Sequence, residues 1–263
     1  MITEQSKPTM SQDTQPEAQE TEAAMTLIEH LVELRGRLIK ASIGVLIGLG
    51  IGVYLVTGPV HLVDIIITTF APINNKYAPV QSVGTTETFT SYMSAALTVG
   101  IIVGMPGIVY QLLAFIVPGL TDKERRLIYI SLPFVTAFFL SGIAFGWFIT
   151  VPTAIKFLIG FSDSTYIQAQ PSLADFLGTI TTLLLINGIV FELPIFIYIL
   201  AFLGVVTAKQ LSSFRRFALV IVVIVAAVIT PTGDPINLML LAIPMYMLYE
   251  LGVIMARFVP KRT

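Results

Sequence analysis

Residues 27–38 read LIEHLVELRGRL and stand immediately before the first long apolar run of the chain. Apolar side chains recur there at helical spacing and form one stripe, made of Leu27, Leu31, Leu34 and Leu38. A neighbouring stripe is charged and is made of Glu29, Glu33 and Arg37. Because Thr26 precedes Glu29 by three residues, as in a capping box, we expect a helix to begin there. The pattern predicts an amphipathic helix at a membrane surface, with its carboxylates towards the cytoplasm.

The composition is that of a polytopic membrane protein with one helical domain. Of the 263 residues, 55% are hydrophobic and 12% are charged, against about 25% charged in soluble domains. The net charge of −1 gives no overall field that would attract nucleic acid or an acidic lipid surface. There is no cysteine, which excludes disulfides, thiolate chemistry and a cysteine-based metal site.

Both ends of the chain differ from its middle. Residues 1–24 carry five acidic side chains against one lysine, and they contain almost no apolar side chains. This composition predicts a disordered acidic tail, and it is not a signal peptide because it lacks a basic start and an apolar core. Residues 258–263 are predicted to be a short basic tail after a membrane domain at residues 25–257.

Six apolar segments predict six membrane-spanning helices, at about residues 39–57, 89–117, 127–151, 173–203, 217–230 and 236–251. The fourth is roughly 45 Å long if straight, so we expect it to tilt or to bend at Pro194. The last two are below the usual minimum of about seventeen residues, which predicts two short helices, with a re-entrant hairpin as the alternative.

The basic residues define an orientation. Of the 15 lysines and arginines, all but Lys76 and Lys156 fall before the first span, after the sixth, or in the second and fourth connections. The positive-inside rule then predicts that both termini are cytoplasmic, most simply in a bacterial plasma membrane.

Catalysis has little support in the sequence. The two histidines, His30 and His61, are predicted on opposite sides of the membrane, and no metalloprotease, P-loop or nucleophile-elbow motif is present. We therefore expect a protein that is not an enzyme and that needs no cofactor or metal.

Glu192 is the most costly residue to place, because it lies within the apolar run of the fourth span. A carboxylate there costs several kcal/mol unless it is protonated, hydrated or paired. We predict a polar site that faces a groove inside the membrane, with a hydrogen bond between helices as the alternative. For Asn187 we predict an ordinary hydrogen bond between helices.

Glu33 and Glu124 are predicted on the same cytoplasmic surface, because one precedes the first span and the other lies between the second and third. Two carboxylates near the headgroup layer are suited to bind guanidinium groups, each accepting a planar bidentate pair of hydrogen bonds. In the simpler interpretations, Arg35, Arg125 and Arg126 neutralise these acids through internal salt bridges, or the first helix only anchors the chain.

Several motifs, in order, resemble the TatC family, a subunit of the twin-arginine protein translocase, over about residues 25–257. They are HLVELR at 30–35, YQLLAF at 110–115, KERR at 123–126, FELP at 191–194, Thr230-Pro231 with Asp234, LAIPMY at 241–246 and ELG at 250–252. One departure is Leu238, which stands where well-known members have a glutamine.

The resemblance implies a glove-shaped, six-helix receptor for the twin-arginine signal peptides of folded proteins. It implies that Glu33 and Glu124 contact the paired arginines. Supporting roles on that surface would fall to Arg35, Phe115, Arg125 and Arg126. Glu192 would form a polar site in the concave face, Pro72 would shape an external cap, and Asp234 would belong to the external rim.

The resemblance also implies partners. TatB or TatA, each with a single membrane helix, would dock on the last two helices, and TatC–TatB units would oligomerise. Transport would be driven by the proton motive force, with no nucleotide bound. The competing functions are a secondary transporter with Glu192 as its proton site, and a purely structural assembly subunit. No pair of broken helices in matching halves supports the transporter.

Overall fold

The computed structural model describes residues 15–71, 80–116, 122–160, 171–230 and 235–259. Within them the chain is helical, apart from connecting turns and one isolated bridge. The helices are α1 (Gln15–Thr57), α2 (Leu62–Phe70), α3 (Glu87–Ile116), α4 (Asp122–Phe145), α5 (Val151–Gly160), α6 (Leu173–Phe191), α7 (Leu193–Phe202), α8 (Ala208–Ile229) and α9 (Pro235–Arg257). A π-helical turn, Gly146–Thr150, joins α4 to α5.

Six stretches of these helices are long and apolar enough to cross a membrane, which confirms the prediction of an all-helical protein with six membrane helices. Two of the stretches combine helices: the third runs from α4 through the π turn into α5, and the fourth is α6 with α7. The short helix α2, in the first connection, was not predicted.

The first helix is longer than the sequence suggested. α1 begins at Gln15, inside the predicted disordered tail, and continues without a break into the first span. Low hydrophobicity argues against burial but not against a helix, and this stretch is rich in alanine, glutamate and glutamine, which are strong helix formers. Residues 1–14 of the tail and 260–263 at the other end lie outside the described residues.

The third span also runs further than predicted. We expected it to end at Val151, before Pro152, but the helix continues to Gly160 and includes Lys156, which we had placed in a loop. A proline disrupts an ordinary helix because it lacks an N–H and clashes with the carbonyl four residues back. Here a π turn, which is wider than an α-helical turn, lies just before Pro152. In it the Val151 N–H donates to the Gly146 carbonyl, five residues back.

The fourth span bends where the sequence predicted. α6 ends and α7 begins at Glu192, and Pro194 lies in the first turn of α7, where its missing N–H costs little. The last two helices, at 22 and 23 residues, are longer than their apolar cores, because α8 begins in a polar segment capped by Thr207 and α9 extends to Arg257.

Glycines set the closest crossing of the bundle, between α1 and α3. A Cβ atom added at Gly52 would lie 2.1 Å from the Ala96 carbonyl oxygen, and one added at Gly48 would lie 2.3 Å from that of Gly100. The backbones therefore touch directly, as in membrane helix pairs in which small residues recur every fourth position. This crossing fixes the position of α1, including the turns that carry Glu33.

The helices α6 and α7 form the centre of the bundle. The buried residues of α6 pack against α3, α5 and α2 in one cluster, and against α8 and α9 in another. α7 packs against α3 and α4 on one face and against α8 and α9 on another. Glu192 therefore lies at the joint between the two central helices.

One carboxylate ties the first connection to the fourth span. Glu87 opens α3, and its side chain accepts hydrogen bonds from the backbone N–H groups of Val83, Gly84 (3.0 Å) and Ala174 (3.1 Å). Ala174 lies in the first turn of α6, so the carboxylate satisfies two donors in the turn before α3 and one at the start of α6. A bridge between Gln81 and Ser172 holds the same segments together.

Candidate functional site

The first turns of the membrane part of α1 lie against the last turns of α3. A groove of about 160 Å³ separates them, lined by residues of α1 between 34 and 41 and of α3 between 108 and 112. α3 ends at Ile116 and α4 begins at Asp122, so α4 starts at this same end of the bundle. The segments that carry Glu33, in α1, and Glu124, in the first turn of α4, are thereby brought to one end.

This end of the bundle carries most of the described cations, and we call it the basic end. Exposed lysines and arginines of four helices lie there: Arg35, Lys40, Arg126, Lys209, Arg216 and Arg257. The last turns of α3 pack against α7 through the buried side chains of Leu113, Ile195 and Ile199. The rings of Tyr110 and Tyr129, with centroids 6.4 Å apart, connect α3 to α4 next to it.

The predicted site residues divide into three groups. Arg35 and Arg126 are exposed at the basic end. For four others the structure describes only the backbone, in helices α1, α3 and α4: Glu33, Phe115, Glu124 and Arg125. Pro72 and Asp234 lie outside the described residues. Their roles therefore stay predictions.

Gln111 is a candidate that the sequence reasoning missed, although it was within a quoted motif. It lines the α1–α3 groove, and its side-chain oxygen Oε1 is buried without a hydrogen-bond partner among the described residues. An unsatisfied buried amide oxygen costs about 1–3 kcal/mol. The signal that could have found it is an amide within an otherwise apolar helix, one turn before the predicted surface.

Glu192 is half-buried at the joint between α6 and α7. It stands ten residues before the end of α7 at Phe202, which is about 15 Å along a helix, so it is deep within the span. Its Oε1 atom is buried and, in the part of the chain that the structure describes, accepts no hydrogen bond. An orphaned carboxylate oxygen at this depth is poorly suited to a structural role and well suited to receive a proton, water or a polar group of a ligand.

Asn187, one turn earlier in α6, makes the hydrogen bond between helices that the sequence predicted. Its Oδ1 accepts from the hydroxyl of Thr150 in the π turn at 3.2 Å, and its Nδ2 donates to the Leu183 carbonyl at 2.8 Å. Both polar atoms of the Asn187 side chain are thus hydrogen-bonded within the bundle. Asn187 holds the third span to the fourth, and Glu192 does not.

An ion pair joins α8 to α9 towards the basic end. Arg215 Nη2 lies 2.8 Å from Glu250 Oε2, and the Tyr246 hydroxyl donates to Glu250 Oε1 at 3.1 Å. From the sequence, Glu250 near the cytoplasmic end is expected to be a surface or interface charge. The side chains of Arg215 and Glu250 are 43% and 26% exposed, so the pair is partly screened and its net contribution is small.

The outer surface of α8 and α9 contains an apolar groove of about 270 Å³. Its walls include the exposed side chains of Leu219, Met239, Ile243 and Met247. The groove is therefore an exposed apolar surface that runs between two neighbouring membrane helices.

A metal centre has no obvious ligands here. Among the described residues there is no group of three or more histidine, aspartate and glutamate side chains that could hold an ion.

Comparison with known proteins identifies the family. A family model described as "Sec-independent protein translocase protein (TatC)" matches residues 29–244. The chain belongs to the TatC family. A TatC protein of Deinococcus radiodurans is 37% identical over 246 residues, covering 89% of this chain and 87% of the relative. One of Aquifex aeolicus is 35% identical over 242 residues, covering 90% and 97%.

The fold agrees with this assignment. A structure described as "Crystal Structure of Twin Arginine Translocase Receptor- TatC" matches with a TM-score of 0.74 and 31% identity, covering 88% of this chain and 100% of that one. This TatC-family chain is thus a multi-pass membrane component of the Tat translocase, and the family transports proteins, which confirms that it is not an enzyme.

Proposed function

We propose that this TatC-family chain is the signal-peptide receptor and core subunit of the twin-arginine translocase. It recognises the paired arginines of export signals on folded proteins, and with TatA- and TatB-type partners it mediates their transport. The observation that carries the proposal is the convergence of α1, α3 and α4 at the basic end, which brings the segments of Glu33 and Glu124 together. The description of a solved relative as a receptor supports it.

The chemistry of recognition follows from the two carboxylates. Each carboxylate accepts two parallel hydrogen bonds from a guanidinium group, whereas an ammonium group cannot use that geometry. Arg35 and Arg126, exposed on these segments, would limit the affinity of the two acids for isolated cations. Phe115 and Arg125 complete the surface.

The distribution of charge supports an orientation with both termini in the cytoplasm. The cations of the basic end belong to α1, α4, α8 and α9, while Lys156 is exposed in α5, towards the opposite end. The positive-inside rule makes the basic end cytoplasmic, in a bacterial plasma membrane. Signal peptides then reach Glu33 and Glu124 from the compartment in which they are made.

Glu192 provides the polar site deep in the concave, glove-shaped face. Its orphaned oxygen can accept a hydrogen bond from the inserted signal peptide or take up a proton, which would couple insertion to the proton motive force. Pro72 shapes the external cap and Asp234 belongs to the external rim.

The α8–α9 groove is the docking site for the partner helix of TatB or TatA. It is apolar and outward-facing, and the small side chain of Ala242 lies between its bulkier walls. A single-helix partner covers the α8–α9 groove, and the TatC–TatB units formed in this way assemble into the oligomer. Leu238 is half-buried beside the groove, so docking here relies on packing where well-known members have a glutamine.

The proposal is tested by the binding of a twin-arginine signal peptide to the purified protein. Glu33→Gln and Glu124→Gln remove one charged bidentate contact each, so each is expected to weaken binding by roughly tenfold to hundredfold. Glu29→Gln, one turn earlier on the same helix, is the matched control and should leave affinity unchanged. Equal losses in all three variants would show general charge attraction instead of a specific site.

A further inference from the structure

A second cavity lies at the basic end, where α7 ends, α8 begins and α9 ends. Its volume is about 630 Å³, and none of the predicted site residues lines it. The turn that forms one wall is held open by Gly204, whose φ of 76° lies in the left-handed region. Gly204 and Val205 donate to the Ala201 and Leu200 carbonyls in a Schellman motif, which ends α7 sharply and leaves space beneath the turn.

The cavity has two chemically different walls. Its interior is apolar and includes Phe202, Val206 and Ala256. Its rim carries Lys209 from α8 and Arg257 from α9, both exposed, and no acidic residue lines it. The Arg257 guanidinium donates a hydrogen bond to the Ser212 hydroxyl at 3.5 Å. In the described part of the chain, neither Lys209 nor Arg257 forms an ion pair.

The surrounding helices add to this positive field. α7, α8 and α9 contain four basic residues and one acid, a net charge of +3, and the acid, Glu250, is already paired with Arg215. Thr207 and Ala208, at the start of α8, also line the cavity, so the positive end of that helix dipole faces it.

We propose that this cavity binds an anionic phospholipid, with Lys209 and Arg257 contacting the phosphate and the apolar walls holding the start of the acyl chains. The apolar interior favours an amphiphile over a free phosphate ion, because a small hydrophilic anion gains nothing from Phe202 and Val206. The cavity lies where three membrane spans end, which is the depth of lipid headgroups. The assignment of this site to the cytoplasmic leaflet rests on the proposed orientation. The cavity and its two cations are independent of that orientation.

The test is native mass spectrometry of the full chain in neutral detergent, with phosphatidylglycerol and phosphatidylcholine of the same acyl chains. Each cation near an anionic headgroup contributes about a factor of five in affinity. The double variant Lys209→Gln with Arg257→Gln should therefore bind phosphatidylglycerol roughly thirtyfold more weakly. The control is Lys40→Gln with Lys156→Gln, which removes two exposed charges outside α7, α8 and α9 and should bind like wild type.

A second variant tests the cavity without removing charge. Ala208→Phe places a bulky ring in the cavity and keeps both cations, so it should also weaken phosphatidylglycerol binding while the protein still elutes as a folded species. The proposal is overturned if phosphatidylcholine binds as well as phosphatidylglycerol, or if the control loses as much affinity as the test variant. It is equally overturned if Ala208→Phe binds normally, or if soluble glycerol 3-phosphate displaces the lipid at equal concentration. Signal-peptide binding, measured in parallel, should be unaffected in the cavity variants, which separates this site from the receptor surface.

Discussion

The crossing of α1 and α3 predicts opposite effects for the same substitution at two neighbouring glycines. Gly52 is buried against α3, and a Cβ atom there would lie 2.1 Å from the Ala96 carbonyl oxygen. Gly50, two residues earlier, is exposed, and a Cβ atom there meets nothing within 4 Å. Gly52→Ala should therefore destabilise the protein and Gly50→Ala should stabilise it.

The magnitudes follow from these contacts. Ordinary contact begins at 3.4 Å, so Gly52→Ala must move α1 away from α3 by 3.4 − 2.1 = 1.3 Å. Forcing an extra methyl group into a packed interface costs about 1–3 kcal/mol. Both substitutions gain about 0.5–1 kcal/mol because alanine loses less backbone entropy in a helix than glycine does. The free energy of unfolding should therefore differ by about 1–3 kcal/mol between the two variants.

Detergent-titrated unfolding of the purified protein measures this difference. The chain has one tryptophan, Trp147, whose ring packs edge-on against Phe70 at 4.8 Å, so its fluorescence reports loss of tertiary structure. Equal stability of the two variants, or a more stable Gly52→Ala, would refute backbone contact between α1 and α3. Because α1 carries Glu33, Gly52→Ala should also weaken signal-peptide binding although no carboxylate has changed.

Three further predictions concern other parts of the molecule. Glu192→Ala should leave the free energy of unfolding unchanged, because the carboxylate oxygen has no structural partner among the described residues. The variant should still bind the signal peptide at the surface but should export a folded reporter poorly. Normal export would mean that Glu192 is only a packing residue. Thr150→Val should lower the free energy of unfolding by about 0.5–2 kcal/mol, because it breaks the hydrogen bond to Asn187. The control Thr153→Val should lower it less, because the Thr153 hydroxyl bonds to the Ile149 carbonyl of the same span. A photo-crosslinker at Met239 in the α8–α9 groove should capture a TatA- or TatB-type helix, and failure along all of α8 and α9 would place docking elsewhere.

The sequence predicted the features that depend on local composition. Six apolar runs gave six membrane helices, and Pro194 marked the bend in the fourth because a proline within a helix removes one backbone hydrogen bond and clashes with the preceding turn. Asn187 was assigned correctly because most buried amide groups are hydrogen-bonded.

Features that depend on contacts between distant segments were not predictable in the same way. The end of the third span was misplaced because Pro152 normally stops a helix, and the π turn that accommodates it shows no sequence signal. The bonds of Glu87 to Ala174, 87 residues away, arise only in the folded bundle. The glycines at 44, 48 and 52 did offer a signal, since a four-residue period of small residues favours a close helix crossing.

We propose that the carboxylates of Glu33 and Glu124 distinguish arginine from lysine. The most direct measurement compares the affinity of the purified protein for a twin-arginine signal peptide and for its twin-lysine version, in wild type and in Glu33→Gln and Glu124→Gln. Wild type should prefer arginine by roughly tenfold or more, because only a guanidinium group forms the bidentate contacts, and each variant should reduce that preference towards equality. Equal affinity of the wild type for both peptides would contradict the receptor assignment.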